Sequence, residues 1–506
     1  MNISLHFFSI AENKPHHTAI IDKDGTEISF GALASQVDQA AATLQSKGIQ
    51  KGDRVLIVVP MGIPLYVAVL AVFRIGAVAV FLDEWVSFDR LNMCCGIAKC
   101  KAFIAPWKIR MIGIVSSGLR KIPVWLSPDF ITKKTAETVQ PDDTDDSETA
   151  LITFTTGSTG IPKAANRTHG FLHEQFNALK DKIQPRDHEV DMPVLPIVLL
   201  LNLGTGVTSI IADYNSRKPE KIRPEKIAHQ MKIHQVNRCI ASPYVVEKIA
   251  GYFHDSRTIP EKPIRFFTGG APVFPNEAAK MIQSLKNCSI EIVYGSTEAE
   301  PISSINAEVL QLTDHRLPEG LPVGVPYSGT KVRIISITEN AIAVKGISDL
   351  DRITLPHGSI GEIIVSGNHV LKHYINNPEA EQRNKIFIGE EVWHRTGDSG
   401  MLNEKGELFL YGRCNGLFRD KQNRLFAPFL WEGWLKTLEN ITAGTVMLVQ
   451  DTPTLILESD HVSEKTMNSI REKYAFSSIK VFRKIPRDPR HFSKIEYAAL
   501  KKMITA

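Results

Sequence analysis

Short runs of valine, isoleucine and leucine that alternate with helical stretches constrain the fold of this chain more than any other feature. Residues 54–59 (RVLIVV) and 77–82 (AVAVFL) are predicted as buried strands, and residues 64–73 between them as a helix. Strands of this composition with intervening helices form parallel sheets covered on both faces. The alternation continues at residues 102–105, 124–126, 151–154, 238–241, 264–268 and 290–294.

The pattern changes after about residue 322. Residues 331–337 and 361–365 are predicted as strands of a more open, antiparallel arrangement, and residues 406–411 (GELFLY) follow a turn-like segment. The stretch from 412 to the C-terminus has the length of a small α+β unit. The chain therefore divides into a large α/β part, a β-rich part and a small C-terminal part.

Composition excludes several classes of protein. The 506 residues are 43% hydrophobic and 23% charged, as in ordinary globular proteins, and the net charge of +4 gives no reason to expect nucleic acid as a partner. The six cysteines form no CxxC pair, which favours reduced thiols and a cytoplasmic location. Two uncharged runs, 55–73 and 192–212, are interrupted by proline and glycine, so no transmembrane segment is expected.

The segment 151–163 (LITFTTGSTGIPK) is the most informative motif. A predicted strand ends in small and hydroxylated residues, followed by a lysine. Glycines let backbone N–H groups approach an anion closely, hydroxyl groups add donors, and the lysine adds a charge. This composition suits a polyphosphate, although the spacing is not that of a Walker loop. Composition alone would also fit a flexible polar loop.

The full string TFTTGSTGIPK resembles the phosphate-loop signature of the adenylate-forming superfamily, which comprises acyl-CoA synthetases, peptide-synthetase adenylation domains and luciferases. Other signatures of the superfamily follow in the expected order: Gly269-Gly270-Ala271-Pro272, Tyr294-Gly295-Ser296-Thr297-Glu298, His394-Arg395-Thr396-Gly397-Asp398, Gly412-Arg413, and Lys494 near the C-terminus. The resemblance covers nearly the whole chain. It implies activation of a carboxylic acid as an acyl-adenylate, with ATP and Mg²⁺ as cofactors.

The resemblance also implies a role for each motif. The β- and γ-phosphates of ATP would be held by Thr155, Thr156, Gly157, Ser158, Thr159, Gly160 and Lys163. The adenine would be bound by Gly270, Ala271, Pro272, Tyr294, Gly295 and Ser296, with the tyrosine ring stacked on the base. Asp398 would accept hydrogen bonds from the ribose, and Arg413 would lie near the ribose or phosphates.

Four residues would carry the chemistry: Lys163, Thr297, Glu298 and Lys494. Thr297 would contact the α-phosphate region, Glu298 would hold Mg²⁺, and Lys494 would bridge the attacking carboxylate and the α-phosphate. Taken singly, a glutamate of this kind is usually a solvated or capping residue, and a lysine a surface charge. Their joint occurrence in order favours the functional interpretation.

The C-terminal region departs from the common superfamily pattern. Asn415 stands where a hinge aspartate or lysine is usual, and Asn423 replaces a glycine, although asparagine tolerates a left-handed turn. The segments 294–303 (YGSTEAEPIS), 426–432 and 488–495 resemble the β-lactone synthetases of bacterial olefin biosynthesis. In that branch the β-hydroxyl of the substrate attacks its own acyl-adenylate, and no CoA is needed.

The run 192–212 (MPVLPIVLLLNLGTGVTSIIA) indicates the kind of acid. It contains no acidic residue, so a substrate amine would have no partner there, and burying an unpaired cation is costly. An aliphatic, unaminated acid is therefore predicted, with Tyr244 and Val245 as additional lining residues.

Together these features predict an α/β fold in which a large N-terminal domain, residues 1–411, has two parallel-rich sheets and a β subdomain. A small mobile α+β domain, residues 412–506, carries Lys494. Three functions remain: an AMP-forming ligase that passes its acyl group to CoA or an acyl carrier protein, a β-lactone synthetase, or an inactive nucleotide-binding regulator. Thiol dependence separates the first two, and acid-dependent pyrophosphate release excludes the third.

Overall fold

The computed structural model of the chain describes residues 1–82, 87–129, 139–155, 162–314, 319–488 and 492–505. The strands are, in chain order, β1 (Thr18–Ile21), β2 (Glu27–Ser29), β3 (Arg54–Ile57), β4 (Val78–Phe81), β5 (Ala102–Ile104), β6 (Val124–Leu126), β7 (Thr149–Thr155), β8 (Lys163–Thr168), β9 (Val190–Pro193), β10 (Thr208–Ile210), β11 (Arg238–Ala241), β12 (Arg265–Gly269), β13 (Ser289–Ser296), β14 (Ala299–Asn306), β15 (Leu321–Pro326), β16 (Lys331–Ile335), β17 (Gly361–Ser366), β18 (Lys385–Ile388), β19 (Glu391–Leu402), β20 (Leu408–Arg413), β21 (Phe418–Arg419), β22 (Leu425–Phe426), β23 (Ala443–Val449), β24 (Thr452–Glu458) and β25 (Ser478–Phe482).

The helices are α1 (Leu5–Asn13), α2 (Phe30–Ser46), α3 (Ile63–Arg74), α4 (Phe88–Ala98), α5 (Trp107–Gly113), α6 (His169–Ile183), α7 (Pro196–Thr205), α8 (Pro224–Ile233), α9 (Pro243–Asp255), α10 (Pro275–Ser284), α11 (Ala307–Leu310), α12 (Ile347–Ile353), α13 (Pro378–Asn384), α14 (Pro428–Leu435), α15 (Glu464–Lys473) and α16 (Tyr497–Thr505). Several begin at side chains that cap the first turn. Ser29 accepts a hydrogen bond from the Ala32 amide, and Thr168 accepts one from the Phe171 amide.

The first sheet has the strand order β6-β5-β3-β4-β7-β8. Its strands are parallel except for the antiparallel pair β7–β8. The apolar runs that predicted these strands are buried, and α3 packs among them with residues 65–74 all buried. The uncharged run 55–73 is therefore a strand, a turn and a helix, as the interrupting prolines and glycine indicated.

The second sheet has more strands than the first, and its strand pairing changes from parallel to antiparallel across the sheet. The strands β1, β10, β9, β11, β12 and β13 are parallel, and beyond β13 the pairing becomes antiparallel through β14, β15, β20, β19, β17 and β16. The predicted β subdomain is thus a continuation of the second parallel-rich sheet. This arrangement confirms the predicted fold class and brings the ends of β12, β13, β19 and β20 to one region.

The C-terminal stretch has its own small sheet, β23-β24-β25, and a core that includes Phe426, Trp431 and Leu455. Its contacts with the large part include an ion pair and a backbone hydrogen bond. Lys436 Nζ lies 2.5 Å from Glu277 Oε1, and the backbone amide of Tyr244 donates to Ser493 Oγ at 3.1 Å. Among the residues that the model describes, no helix is long and apolar enough to cross a membrane.

Candidate active site

A cleft of about 2870 Å³ runs between the large part and the C-terminal stretch. Its wall contains most of the residues that the motifs singled out, although they are far apart in sequence: Lys163, Gly270, Ala271, Pro272, Tyr294, Gly295, Ser296, Thr297, Glu298, Asp398, Arg413 and Lys494. The fold therefore brings the motifs together in one cleft. Their individual roles stay predictions.

The predicted phosphate loop is placed by the β7–β8 hairpin. Thr155 ends β7 and Lys163 begins β8, and the two residues are paired across the antiparallel ladder. Thr156, Gly157, Ser158, Thr159 and Gly160 lie between them, outside the described residues. Because the hairpin closes at this pair, any loop between them starts and ends beside Lys163, in the wall of the cleft.

Glu298 lies in the turn between β13 and β14 and is only 6% exposed. Lys163 Nζ lies 3.7 Å from its Oε1 atom, and the Tyr374 hydroxyl donates to the same oxygen at 3.1 Å. Arg167 Nη2 donates to the carbonyl oxygen of Thr297 at 3.0 Å and so holds the turn. A buried carboxylate is thus fixed in position beside a cation.

This carboxyl group is ionised at neutral pH. Burial alone would raise its pKa, but His394 and the ammonium groups of Lys163 and Lys385 lower the pKa to about 2. A hard cation such as Mg²⁺ is commonly bound by one or two carboxylates, with substrate phosphates and water as the other ligands. A single buried, charged carboxylate beside Lys163, at the base of the predicted phosphate loop, therefore fits that ion.

Lys385 is a residue that the sequence did not indicate. It begins β18, is 2% exposed, and donates a hydrogen bond from Nζ to the carbonyl oxygen of Leu371. Its ammonium group lies 5.4 Å from the centroid of the Tyr374 ring, the same ring that faces Lys163 at 5.2 Å. Nothing in the local sequence distinguishes this lysine from a surface lysine. Only the pairing of β18 with β19 turns it inward.

The Lys385 side chain makes stability depend on pH. Burial lowers its pKa from 10.5 to about 7, so between these values the unfolded chain binds more protons than the folded chain. The contribution of Lys385 to the free energy of unfolding therefore rises with pH across this window. We expect Lys385→Met to be more stable than the wild type at pH 7, on the order of a few kcal/mol, and this gain to shrink towards pH 10.

Urea unfolding at several pH values measures this difference. Lys372→Met, at an exposed lysine of the same region, is the matched control and should show no such trend. A stability difference between Lys385→Met and wild type that does not change with pH would contradict the expectation.

Asp398, in β19, organises a second corner of the cleft. The Tyr294 hydroxyl donates to Asp398 Oδ2 at 2.8 Å, and Arg413 Nη1 donates to Oδ1 at 2.8 Å. Gly397 has a φ of +68°, and a Cβ atom there would lie 2.9 Å from Arg413 Nη2. The glycine of this motif therefore leaves room for the guanidinium group to reach the carboxylate.

Two hydroxyl oxygens of cleft-lining residues are enclosed by the protein itself. Ser296 Oγ and Thr268 Oγ1 are buried and have no hydrogen-bond partner within the described part of the chain. Between them the backbone is close-packed, because a Cβ atom on Gly269 would lie 2.5 Å from the carbonyl oxygen of Val293. Buried donors without partners are costly, and neither hydroxyl oxygen is accessible from the open cleft in this conformation.

The run 192–212 forms the apolar wall. It comprises the end of β9, helix α7 and β10, with Pro196 in the first turn of α7 and Gly206 ending it at a φ of +77°. Residues 193–198, Leu200 and residues 211–212 line the cleft. The two carboxylates that flank the run are ion-paired, Asp191 with Arg238 and Asp213 with Lys226. This wall has the apolar character that the sequence predicted.

The sequence predicted that Tyr244 lines the acid pocket. In the structure Tyr244 contacts the C-terminal stretch. Its ring lies 5.3 Å from that of Phe492, and its backbone amide bonds to Ser493. The adjacent Val245 is 2% exposed and belongs to the core. Lys494 follows this contact directly and lines the cleft, with its carbonyl oxygen accepting a hydrogen bond from the Asp488 amide at 2.9 Å.

Comparisons with known proteins agree with this geometry. The model of the AMP-binding enzyme family matches residues 7–375. Olefin beta-lactone synthetase from Xanthomonas campestris pv. campestris is 28% identical over 444 residues, covering 81% of this chain and 78% of the relative. Medium-chain fatty-acid–CoA ligase from Escherichia coli is 24% identical over 436 residues, covering 80% and 70%. ATP-bound MatB from Rhodopseudomonas palustris has the same fold, with a TM-score of 0.81 at 20% identity, covering 99% of this chain and 98% of that one.

The fold is that of the solved adenylate-forming synthetases, and the family match together with the motifs in the cleft defines an adenylate-forming enzyme. The chain belongs to the AMP-binding enzyme family, which matches well over half of its length. It is accordingly an AMP-forming acid ligase, as its motifs predicted.

Proposed function

We propose that this protein uses ATP and Mg²⁺ to convert an aliphatic carboxylic acid to its acyl-adenylate, and then passes the acyl group to the thiol of CoA or an acyl carrier protein. The observation that carries the first step is the shared cleft. Lys163, Glu298 and Asp398 lie in its wall together with Lys494 from the C-terminal stretch. The need for ATP is consistent with a cytoplasmic location.

The first step joins two anions. A carboxylate oxygen attacks the α-phosphorus, the bond to the bridging oxygen of pyrophosphate breaks, and pyrophosphate leaves. Positive charge fixed in advance at this point stabilises the transition state more than mobile water does. Lys163 begins β8 directly after the predicted phosphate loop, and Lys494 lines the same cleft from the C-terminal stretch. Glu298 would hold Mg²⁺, which supplies charge neutralisation at the phosphates when bound.

The substrate class follows from the apolar wall. Helix α7 and its flanking residues offer aliphatic side chains, and the flanking carboxylates Asp191 and Asp213 are engaged by Arg238 and Lys226. A substrate amine would therefore compete with a fixed internal cation. Burial of an alkyl chain here contributes about 0.8 kcal/mol for each methylene group, which favours an aliphatic acid.

Transfer to a thiol requires the acyl carbon to become accessible after pyrophosphate leaves. We propose that residues 412–506 move as a unit about the end of β20, where Gly412 has a φ of +126°. Asn423 stands where relatives commonly have glycine. It adopts a φ of +63° in the turn between β21 and β22, so the hairpin forms without the glycine. The thiolate sulfur would then attack the acyl carbon, and AMP would leave.

A second candidate is ring closure to a β-lactone. Two olefin beta-lactone synthetases, at 28% and 27% identity, share more of their sequence with this chain than the E. coli CoA ligase does at 24%. In this reaction the β-hydroxyl oxygen attacks the acyl carbon of the same molecule, its proton is lost, and AMP leaves. Holding both groups in one site supplies the effective concentration that a separate acceptor would otherwise need.

The experiment that tests the proposal measures pyrophosphate release with straight-chain and β-hydroxy fatty acids, with and without CoA, and identifies the products by mass spectrometry. Thioester formed only with CoA supports the thiol-transfer reaction. A product lighter than the β-hydroxy acid by one water, formed without CoA, supports the β-lactone synthetase instead. Absence of acid-dependent pyrophosphate release with every acid would overturn both.

Asp398→Ala is expected to weaken ATP binding by about 10-fold or more, because a charged hydrogen bond to the ribose contributes about 1.5–3 kcal/mol. The substitution also removes the acceptor that Tyr294 and Arg413 share. Isothermal titration with ATP measures the affinity. Asp349→Ala, at a carboxylate outside the cleft wall, is the control. An ATP affinity in Asp398→Ala equal to that of the wild type would argue against the ribose contact.

A further inference from the structure

An unusual apolar surface lies at the far end of the first sheet, on and just after helix α5. We call it the α5 surface and define it by Trp107, Met111, Ile112, Ile114 and Val115. Each of these side chains exposes more than half of its area, from 52% for Ile114 to 73% for Val115. Most globular proteins expose bulky apolar residues singly, and contiguous patches mark interaction sites.

The fold holds this surface in place. Gly113 is buried against Trp125 and Leu119 so closely that a Cβ atom would lie 2.9 Å from the indole ring. Asn92 of helix α4 accepts hydrogen bonds from Ser116 Oγ and from the Gly118 amide, both at 2.8 Å. The inner side of residues 113–118 is therefore packed against the first sheet and hydrogen-bonded to α4. The apolar side chains of the α5 surface project outward from this well-packed backbone.

The segment that carries the α5 surface is net positive, with Asp89 and Asp129 at its two ends and Lys101 ion-paired with Asp53. Residues 90–128 contain seven lysine and arginine residues and no aspartate or glutamate. Since the whole chain has a net charge of only +4, the remainder is net negative. Lys108, Arg120 and Lys121 are exposed beside the apolar side chains, and Lys108 Nζ lies 5.7 Å from the Trp107 ring centroid. Apolar and aromatic groups bordered by cations are the composition of a surface that binds anionic lipid.

The α5 surface is continuous with the cleft. Phe88, Leu91, Ile109 and Ile112 are in the wall of the same cleft that holds Lys163 and Glu298. Ile112 therefore belongs both to the exposed surface and to the cleft wall. An aliphatic acid that left a bilayer at this surface would meet apolar side chains along its way to the activation site.

We propose that the α5 surface docks on the leaflet of an anionic lipid bilayer and that the enzyme takes its aliphatic acid from there. The docking itself does not depend on the reaction, and only the nature of the cargo rests on the proposed function. Trp107, Met111 and Val115 enter the headgroup region, while Lys108 and Lys121 face anionic phosphates.

The test is flotation of the full chain, without ATP or acid, with phosphatidylcholine vesicles that do or do not contain phosphatidylglycerol. We expect the wild type to float with the anionic vesicles and to be released by high salt. Met111→Glu/Val115→Glu should lower the bound fraction at least about 10-fold, because it removes apolar contact and adds negative charge. Val309→Glu/Leu312→Glu, at two exposed apolar residues of another region, is the matched control and should bind like the wild type.

A variant that keeps the apolar side chains separates docking from misfolding. Lys108→Glu/Lys121→Glu should weaken binding to anionic vesicles while leaving the melting temperature and the pyrophosphate-release activity with a dissolved short-chain acid unchanged. The proposal is overturned if the wild type does not float with anionic vesicles, or if both double variants bind as the wild type does. It is also overturned if Met111→Glu/Val115→Glu converts a wild-type dimer to a monomer, because the surface would then join two copies.

Discussion

Lys494→Ala is expected to reduce acid-dependent pyrophosphate release by about 100-fold or more while leaving the affinity for ATP nearly unchanged. The lysine lies on the C-terminal stretch, whereas the groups proposed to hold ATP, such as Lys163 and Asp398, belong to the large part. Removal of the Lys494 ammonium group should therefore affect the transition state, in which two anions meet, more than the bound nucleotide.

The measurement is initial-rate pyrophosphate release, combined with ATP titration of the same variant. Lys502→Ala is the matched control, because Lys502 is an exposed lysine of α16 eight residues further along. Full activity in Lys494→Ala would refute the assignment. A parallel loss of ATP affinity would instead indicate that the lysine binds the nucleotide in the ground state.

The geometry around Lys494 gives this prediction a structural basis. The Asp488 amide bonds to the Lys494 carbonyl oxygen, and an isolated bridge pairs Arg487 with Ile495. Ser493, the residue before Lys494, accepts the hydrogen bond from the Tyr244 amide of the large part. These contacts place the backbone of Lys494 next to the large part.

Glu298→Gln is the second change for which we expect a large effect. It should lower the rate of pyrophosphate release at least about 100-fold at saturating ATP and raise the Mg²⁺ concentration needed for half-maximal activity. The amide keeps the shape of the side chain and can still accept from Tyr374, but it loses the charge that faces Lys163 at 3.7 Å.

The control for this substitution is Glu308→Gln, at an exposed glutamate of α11. Because Glu298 also balances the buried Lys163 and Lys385, the melting temperature of Glu298→Gln should fall as well. Activity and melting temperature are therefore measured on the same preparation. Unchanged Mg²⁺ dependence in a folded Glu298→Gln protein would be evidence against the proposed metal ligand.

The pattern of the chain was sufficient to predict the parallel-rich sheets. Runs such as 54–59 and 77–82 are continuous apolar segments, and a strand buried on both faces has that composition wherever it occurs. The change from parallel to antiparallel strand pairing after β13 could be predicted only in part. The sequence indicated strands there, but their union with the second sheet depends on pairings such as β14–β15 and β15–β20.

The residues of the candidate site likewise fall into two groups, those with a local sequence signal and those without one. The predicted phosphate loop and the motifs around Glu298 and Asp398 are local strings, whose residue types suit the binding of an anion. Lys385 and Tyr374 carry no such local signal, yet the structure places both beside Glu298. Their importance comes from burial, because a buried lysine acquires a pKa of about 7 that a surface lysine never has.

The sequence by itself determined the fold class, the family, the order of the motifs and the apolar character of the acid wall, because each of these depends on residue types within a short window. Only the tertiary structure decided which distant residues meet and which apolar side chains stay outside. Trp107, Met111 and Val115 have the composition of core residues, and their exposure becomes visible only once the sheet, Trp125 and Leu119 have occupied the inner face. Burial is a property of the packed chain, and a local sequence does not specify it.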